Sequence, residues 1–77
     1  MPTLLKKNGF RYFFYSNEHL PKHIHVEGKG GEAKIELDSL TLINAFNLKK
    51  KDLTVIIKTV TNQRFFFIRK WDEFYSI

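Results

Sequence analysis

The 77-residue chain has no cysteine, only two prolines and four glycines, and a single tryptophan. Without cysteine no disulfide can supplement the core, and no thiolate metal site can form. No apolar run approaches the ~20 residues that span a bilayer. The opening Met1-Pro2-Thr3-Leu4-Leu5-Lys6-Lys7 lacks the ~7–15-residue apolar stretch of a signal peptide. The expectation is a cytoplasmic protein with no membrane association. What the chain does have is aromatic content. It carries eight Phe and three Tyr beside the lone Trp, and hydrophobic residues make up 43%. That suffices for one small core and excludes a disordered chain. The length sets one domain, 1–77, with about 60% of the unfolded surface buried on folding.

Acidic residues are also scarce: 8 against 13 Lys and Arg, a net charge of +5. The excess sits in the second half, where residues 39–77 carry seven basic and three acidic groups. A basic half favours nucleic acid, an acidic protein or an anionic surface as partner. A solvated lysine-rich surface explains the same count.

Asn8-Gly9 is the strongest hairpin signal in the sequence, because both residues tolerate positive φ. It joins Thr3–Lys7 to Phe10–Tyr15. His23–Glu27 and Glu32–Leu37 each alternate with period two, and Gly28-Lys29-Gly30-Gly31 forms the turn between them. The second half changes period. Leu53, Ile56, Ile57 and Val60 follow helical spacing, with Asn47 as a candidate N-cap. Phe67, Ile68, Trp71, Phe74 and Tyr75 repeat that spacing after a break near Asn62. A late hairpin through Thr54–Ile57 and Phe65–Ile68 is the competing reading. The fit to a 3.6-residue period favours helices. The expected fold is α+β, ββββαα: two consecutive antiparallel β-hairpins forming a sheet, packed against two C-terminal helices.

All three histidines fall within seven residues, His19, His23 and His25. With Ile24 and Val26 inward, His23, His25 and Glu27 share the outer face of a strand. Pairing about the glycine turn sets Glu27 opposite Glu32, His25 opposite Lys34 and His23 opposite Glu36. Three readings stand. Two imidazoles with His19 or Glu36 suit a divalent metal such as zinc, with a position left for water. His23 or His25, with Glu36 and Lys34 nearby, supplies acid–base parts for phosphodiester cleavage. The third is that these are surface histidines on an exposed face, without a role.

Other features are weaker. The glycine turn lacks the strand–loop–helix setting and Gly-Lys-Ser/Thr ending of a phosphate loop. Lys49, Lys50 and Lys51 suit phosphate contact, although three cations oppose the helix dipole there. Arg11 lies between aromatics, where it can stack or pair with a carboxylate. On the second helix, Phe65 and Phe66 fall outside the apolar arc, beside Arg69 and Lys70. Adjacent exposed phenylalanines point to a partner protein or a homo-oligomer.

The run Phe14-Tyr15-Ser16-Asn17-Glu18-His19-x-Pro21-x-His23-Ile24-His25-Val26, with Glu32-Ala33-Lys34 after it, resembles a small bacterial family, the domain of unknown function 4160. Met1-Pro2-Thr3 and Trp71-Asp72-Glu73-Phe74-Tyr75 resemble it as well. The chain departs from the family at Lys22, where a second proline is common, and at Phe65 and Phe66, where polar residues are usual. The resemblance implies a gene beside a second small family. It implies a toxin–antitoxin pair with the histidine-bearing protein as toxin, and no established chemistry.

Two functions are therefore expected to compete. One is a toxin acting on RNA or the ribosome through its histidine strand, neutralised by a small antitoxin-like protein. The other is a non-catalytic module binding nucleic acid or protein through Phe65, Phe66 and the basic helices, including an antitoxin-like role.

Overall fold

Two turns of one kind set the first four strands. Asn8 and Gly9 have φ of 56° and 83°, and Lys29 and Gly30 have φ of 53° and 80°. Consecutive positive φ values match the right-handed twist of a hairpin. In the computed structural model, which describes residues 3–75, these turns join β1 (Thr3–Lys7) to β2 (Phe10–Phe13), and β3 (His23–Gly28) to β4 (Gly31–Glu36). Gly28 and Gly31 pair across the second turn. Its loop is thus two residues long, not the four suggested by the glycine run. A Cβ on Gly28 would collide with the Gly9 carbonyl and with Phe10, so β2 and β3 approach closely only because residue 28 has no side chain. The Met1-Pro2 part of the family resemblance lies outside the described residues.

The β3–β4 register is the expected one: His23 faces Glu36, His25 faces Lys34 and Glu27 faces Glu32. A fifth strand, β5 (Leu42–Phe46), pairs antiparallel with β4 and completes a sheet of order β1-β2-β3-β4-β5. The sequence reading had four strands. The fifth eluded it because all five of its residues are exposed, so no alternation of hydrophobicity marks them.

Two helices follow, α1 (Lys50–Asn62) and α2 (Arg64–Phe74), and the late hairpin is not formed. They cover one sheet face. Alternate residues of β2, β3 and β4, among them Tyr12, Ile24, Val26 and Ile35, meet Ile56, Val60, Phe67 and Trp71 in a single core. Each fully buried large side chain contributes roughly 1.5–3 kcal/mol. Arg64 Nε donates to the Leu37 carbonyl at 2.9 Å and its Nη2 to the Asp38 carbonyl. The start of α2 is thereby tied to the end of β4.

Three details differ from expectation. Asn47 does not cap α1. It has φ of 57°, its amide donates to the Gly30 carbonyl at 2.8 Å, and the cap position is Lys49 without a side-chain bond. Phe65 and Phe66 do not form one patch. Phe65 is 78% exposed, whereas Phe66 is half-buried and packs against the core. Phe74, expected on the apolar arc, is 44% exposed. No helix among the described residues is long and apolar enough to cross a membrane.

Candidate functional site

The alternation of β3 does turn His23 and His25 away from Ile24 and Val26, but it does not leave them open to solvent. His23 is only 2% exposed. Its ring lies 5.1 Å from Trp71 of α2 and 5.0 Å from the His25 ring. The loop between β2 and β3 folds back over this face. Three contacts pin the loop. Tyr75 O–H donates to the Tyr15 carbonyl, Lys22 pairs with Asp72 at 2.8 Å, and Leu37 N–H donates to the Lys22 carbonyl at 2.9 Å.

The pinned loop delivers Glu18 to both histidines. Its Oε1 lies 2.9 Å from His23 Nε2 and its Oε2 lies 2.6 Å from His25 Nε2. Oε2 also accepts from the Tyr15 N–H at 3.0 Å. The Glu18 side chain is 9% exposed and that of His25 is 18% exposed. One carboxylate therefore gathers two imidazoles in a largely dry setting.

The two contacts differ in kind. His23 Nδ1 lies 2.7 Å from the Pro21 carbonyl. A carbonyl can only accept, so Nδ1 carries a hydrogen. A hydrogen bond between Nε2 and the Glu18 oxygen then requires a second proton, on Nε2 or on the carboxyl. The His25 contact is shorter but lies off the direction of a ring N–H, and buried Nε2 has no aligned hydrogen-bond partner among the described residues. The short distance is thus an electrostatic contact and not a well-formed hydrogen bond.

Burial pushes Glu18 up, but the Tyr15 N–H, the His23 hydrogen bond and the charges of both rings outweigh it and hold the carboxyl below its ordinary value. Burial pushes His25 down, and His23 and Lys34 add to that against the opposing pull of Glu18. The Tyr75 hydroxyl is pushed up to about 12, by burial first and then by the Glu18 charge.

Beside His25 opens a cavity of about 160 Å³ lined by Phe13, Tyr15, His25, Glu32, Lys34 and Asn44. Tyr15 is partly exposed and sits edge-on to His25 with ring centres 4.6 Å apart. The sheet's larger concavity, about 920 Å³, spreads over the hairpin turns between Lys6, Arg11, Glu27 and Phe46. No histidine lines it, whereas His25 lines the smaller one.

The remaining sequence candidates separate. His19 is exposed and stands outside the cluster, where Glu18 takes the third place. Glu36 faces His23 in register but accepts from Ser39 at 2.8 Å. Lys34 reaches the cavity beside His25. Arg11 is committed: it donates twice to Glu27 at 3.0 and 2.7 Å, once to Thr3 at 2.9 Å, and lies 3.9 Å over Phe13. Lys49, Lys50 and Lys51 are exposed at the start of α1, away from the histidines. Arg69 and Lys70 flank Phe66 on α2, with Lys70 3.4 Å from Glu73. Glu18 was the residue that sequence reasoning missed, although its place five residues before His23, across Pro21, is the spacing of a loop that folds back.

The family described as a domain of unknown function (DUF4160) matches residues 9–72, a span that includes Glu18, His23, His25 and Trp71. No curated protein and no solved structure matches the chain.

Proposed function

The chain belongs to the DUF4160 family, and from that premise we propose that it acts on RNA or on the translation machinery as the toxin of a two-protein module. Its reactive group is Glu18–His23–His25, and a small partner protein neutralises it. The observation that carries this reading is the single carboxylate within 2.9 and 2.6 Å of two imidazoles, beside a cavity that Tyr15 and Lys34 also line. The Glu18–His23–His25 centre activates an attacking hydroxyl there, Lys34 offsets charge on the phosphate, and Tyr15 offers an aromatic face to a base. The +5 charge supports an anionic substrate. Arg11 is left out of the machinery because Glu27 and Thr3 already occupy its donors.

The test is induction in cells with and without the neighbouring gene, using wild type, His25→Ala and Glu18→Gln. Growth should stop on induction of the wild type alone and continue with either variant or with the partner present. Arrest that survives both variants, with folded protein confirmed, moves the activity off this site. The competing reading, a binding module, has one observation in its favour, the exposure of Phe65 on α2. On that reading arrest is absent, and Phe65→Ser weakens partner capture.

A further inference from the structure

We infer that Glu18, His23 and His25 together bind one divalent transition-metal ion, of the zinc class. The inference deepens the reading of this centre as reactive, by naming the cation in its carboxylate–imidazole links.

Three observations converge. The first is the donor set. One ligand atom from each of the three residues can be chosen so that all lie within 4.8 Å of one another. Two ligands on one zinc ion sit about 3–3.5 Å apart, given bonds of ~2.0–2.2 Å at tetrahedral angles. The Glu18–His23 and Glu18–His25 contacts, at 2.9 and 2.6 Å, are shorter than this, so the three groups need only open slightly to admit an ion. Two imidazoles and a carboxylate are zinc-class donors, unlike the oxygen sets taken by calcium or magnesium.

The second is the tautomer of His23. Its Nδ1–H is spent on the Pro21 carbonyl at 2.7 Å. That arrangement, a ring N–H held by a backbone carbonyl, is the usual outer support of a metal-bound histidine. It leaves the Nε2 lone pair aimed at the Glu18 oxygen 2.9 Å away. Two lone pairs at that distance repel unless a proton bridges them or an ion beside them draws both onto itself.

The third is His25. Its Nε2 is buried, lies 2.6 Å from Glu18 Oε2, and has no aligned hydrogen-bond partner among the described residues. A donor–acceptor pair at this distance would be collinear with the N–H. Neighbouring ligands of one ion are not, because both point at the metal. A single proton accounts for the His23 link but does not account for the misaligned one. An ion ligated by all three would turn the His25 nitrogen and the carboxylate toward itself and widen both contacts. Three protein ligands also leave one coordination position open, as in hydrolytic zinc sites, and His25 borders the cavity through which a water or substrate oxygen would reach it.

The lone tryptophan supplies the readout. Trp71 lies 5.1 Å from the His23 ring, so an open-shell ion at the site quenches its fluorescence. The experiment titrates purified, chelator-stripped wild type with cobalt(II) and then displaces the cobalt with zinc. Histidine ring resonances are followed by NMR in parallel. The expected result is quenching that saturates at one equivalent and is reversed by zinc. Zinc should shift His23 and His25 but not His19, and should raise the melting temperature through binding to the folded state alone. Glu18→Gln and His25→Ala should weaken binding at least tenfold, while His19→Ala leaves it unchanged. Absence of saturable quenching in wild type overturns the inference without reference to any variant. So do zinc-induced shifts centred on His19. Metal binding without growth arrest would leave this inference standing and remove the RNA reading. Arrest by a protein that binds no metal would do the reverse.

Discussion

Glu18 is the residue on which the centre turns, and its protonation sets how the metal-free chain responds to acid. Its carboxyl lies below its ordinary value of 4.5 when folded, and the His25 imidazole lies below 6.5. In each case the unfolded chain binds protons that the folded chain does not, between the folded value and the ordinary one. Stability therefore rises with pH across both windows and falls as pH drops through them. In a chelating buffer, the melting temperature should decline first as pH falls below 6.5 and again below 4.5. Glu18→Gln should flatten the second decline. A melting temperature independent of pH from 7 to 4 would contradict the assigned contacts. At this scale the sequence showed the histidines but not their neighbour. Period two identifies which residues share a strand face, so His23 and His25 were legible. It says nothing about a loop side chain reaching that face from outside, so Glu18 was not, and His19 was taken in its place. Nor did it show that Trp71 and the loop would bury His23, because that depends on where α2 ends over the sheet.

Among the elements, the first hairpin, the β3–β4 register and the two helices were readable because each has a local cause: Asn8-Gly9, the glycine turn, and apolar spacing at Ile56, Val60, Phe67 and Trp71. β5 was not, since its pairing with β4 is written in backbone hydrogen bonds rather than in a buried stripe. Asn47 misled for a related reason. Asparagine is favoured both as an N-cap and at positive φ, and here the second role, with its bond to Gly30, prevails. The close approach at Gly28 yields a sharp prediction. Gly28→Ala places a methyl group against the Gly9 backbone and Phe10, and neither can move without opening the β2–β3 pair. Overpacking of this kind costs about 1–3 kcal/mol, so chemical denaturation should show a loss in that range. An unchanged midpoint would mean that the two strands do not pack as closely as described.

The whole molecule sets a basic surface against an aromatic core, and its parts are not equally engaged. Arg11, Lys22, Lys29 and Lys70 each face a carboxylate, whereas Lys49, Lys50 and Lys51 stand exposed at one end of α1. Exposed cations on one flank suit the polyanion that the proposed function calls for. The central claim is that this centre, built by one carboxylate and two imidazoles, acts on RNA or translation. The most direct measurement adds purified protein to a cell-free translation reaction and follows peptide synthesis and RNA integrity together. Wild type and Glu18→Gln are compared at equal concentration after their circular dichroism spectra are shown to agree. The account predicts that wild type halts synthesis and that Glu18→Gln does not. Equal inhibition by both proteins, or inhibition by neither, would contradict it.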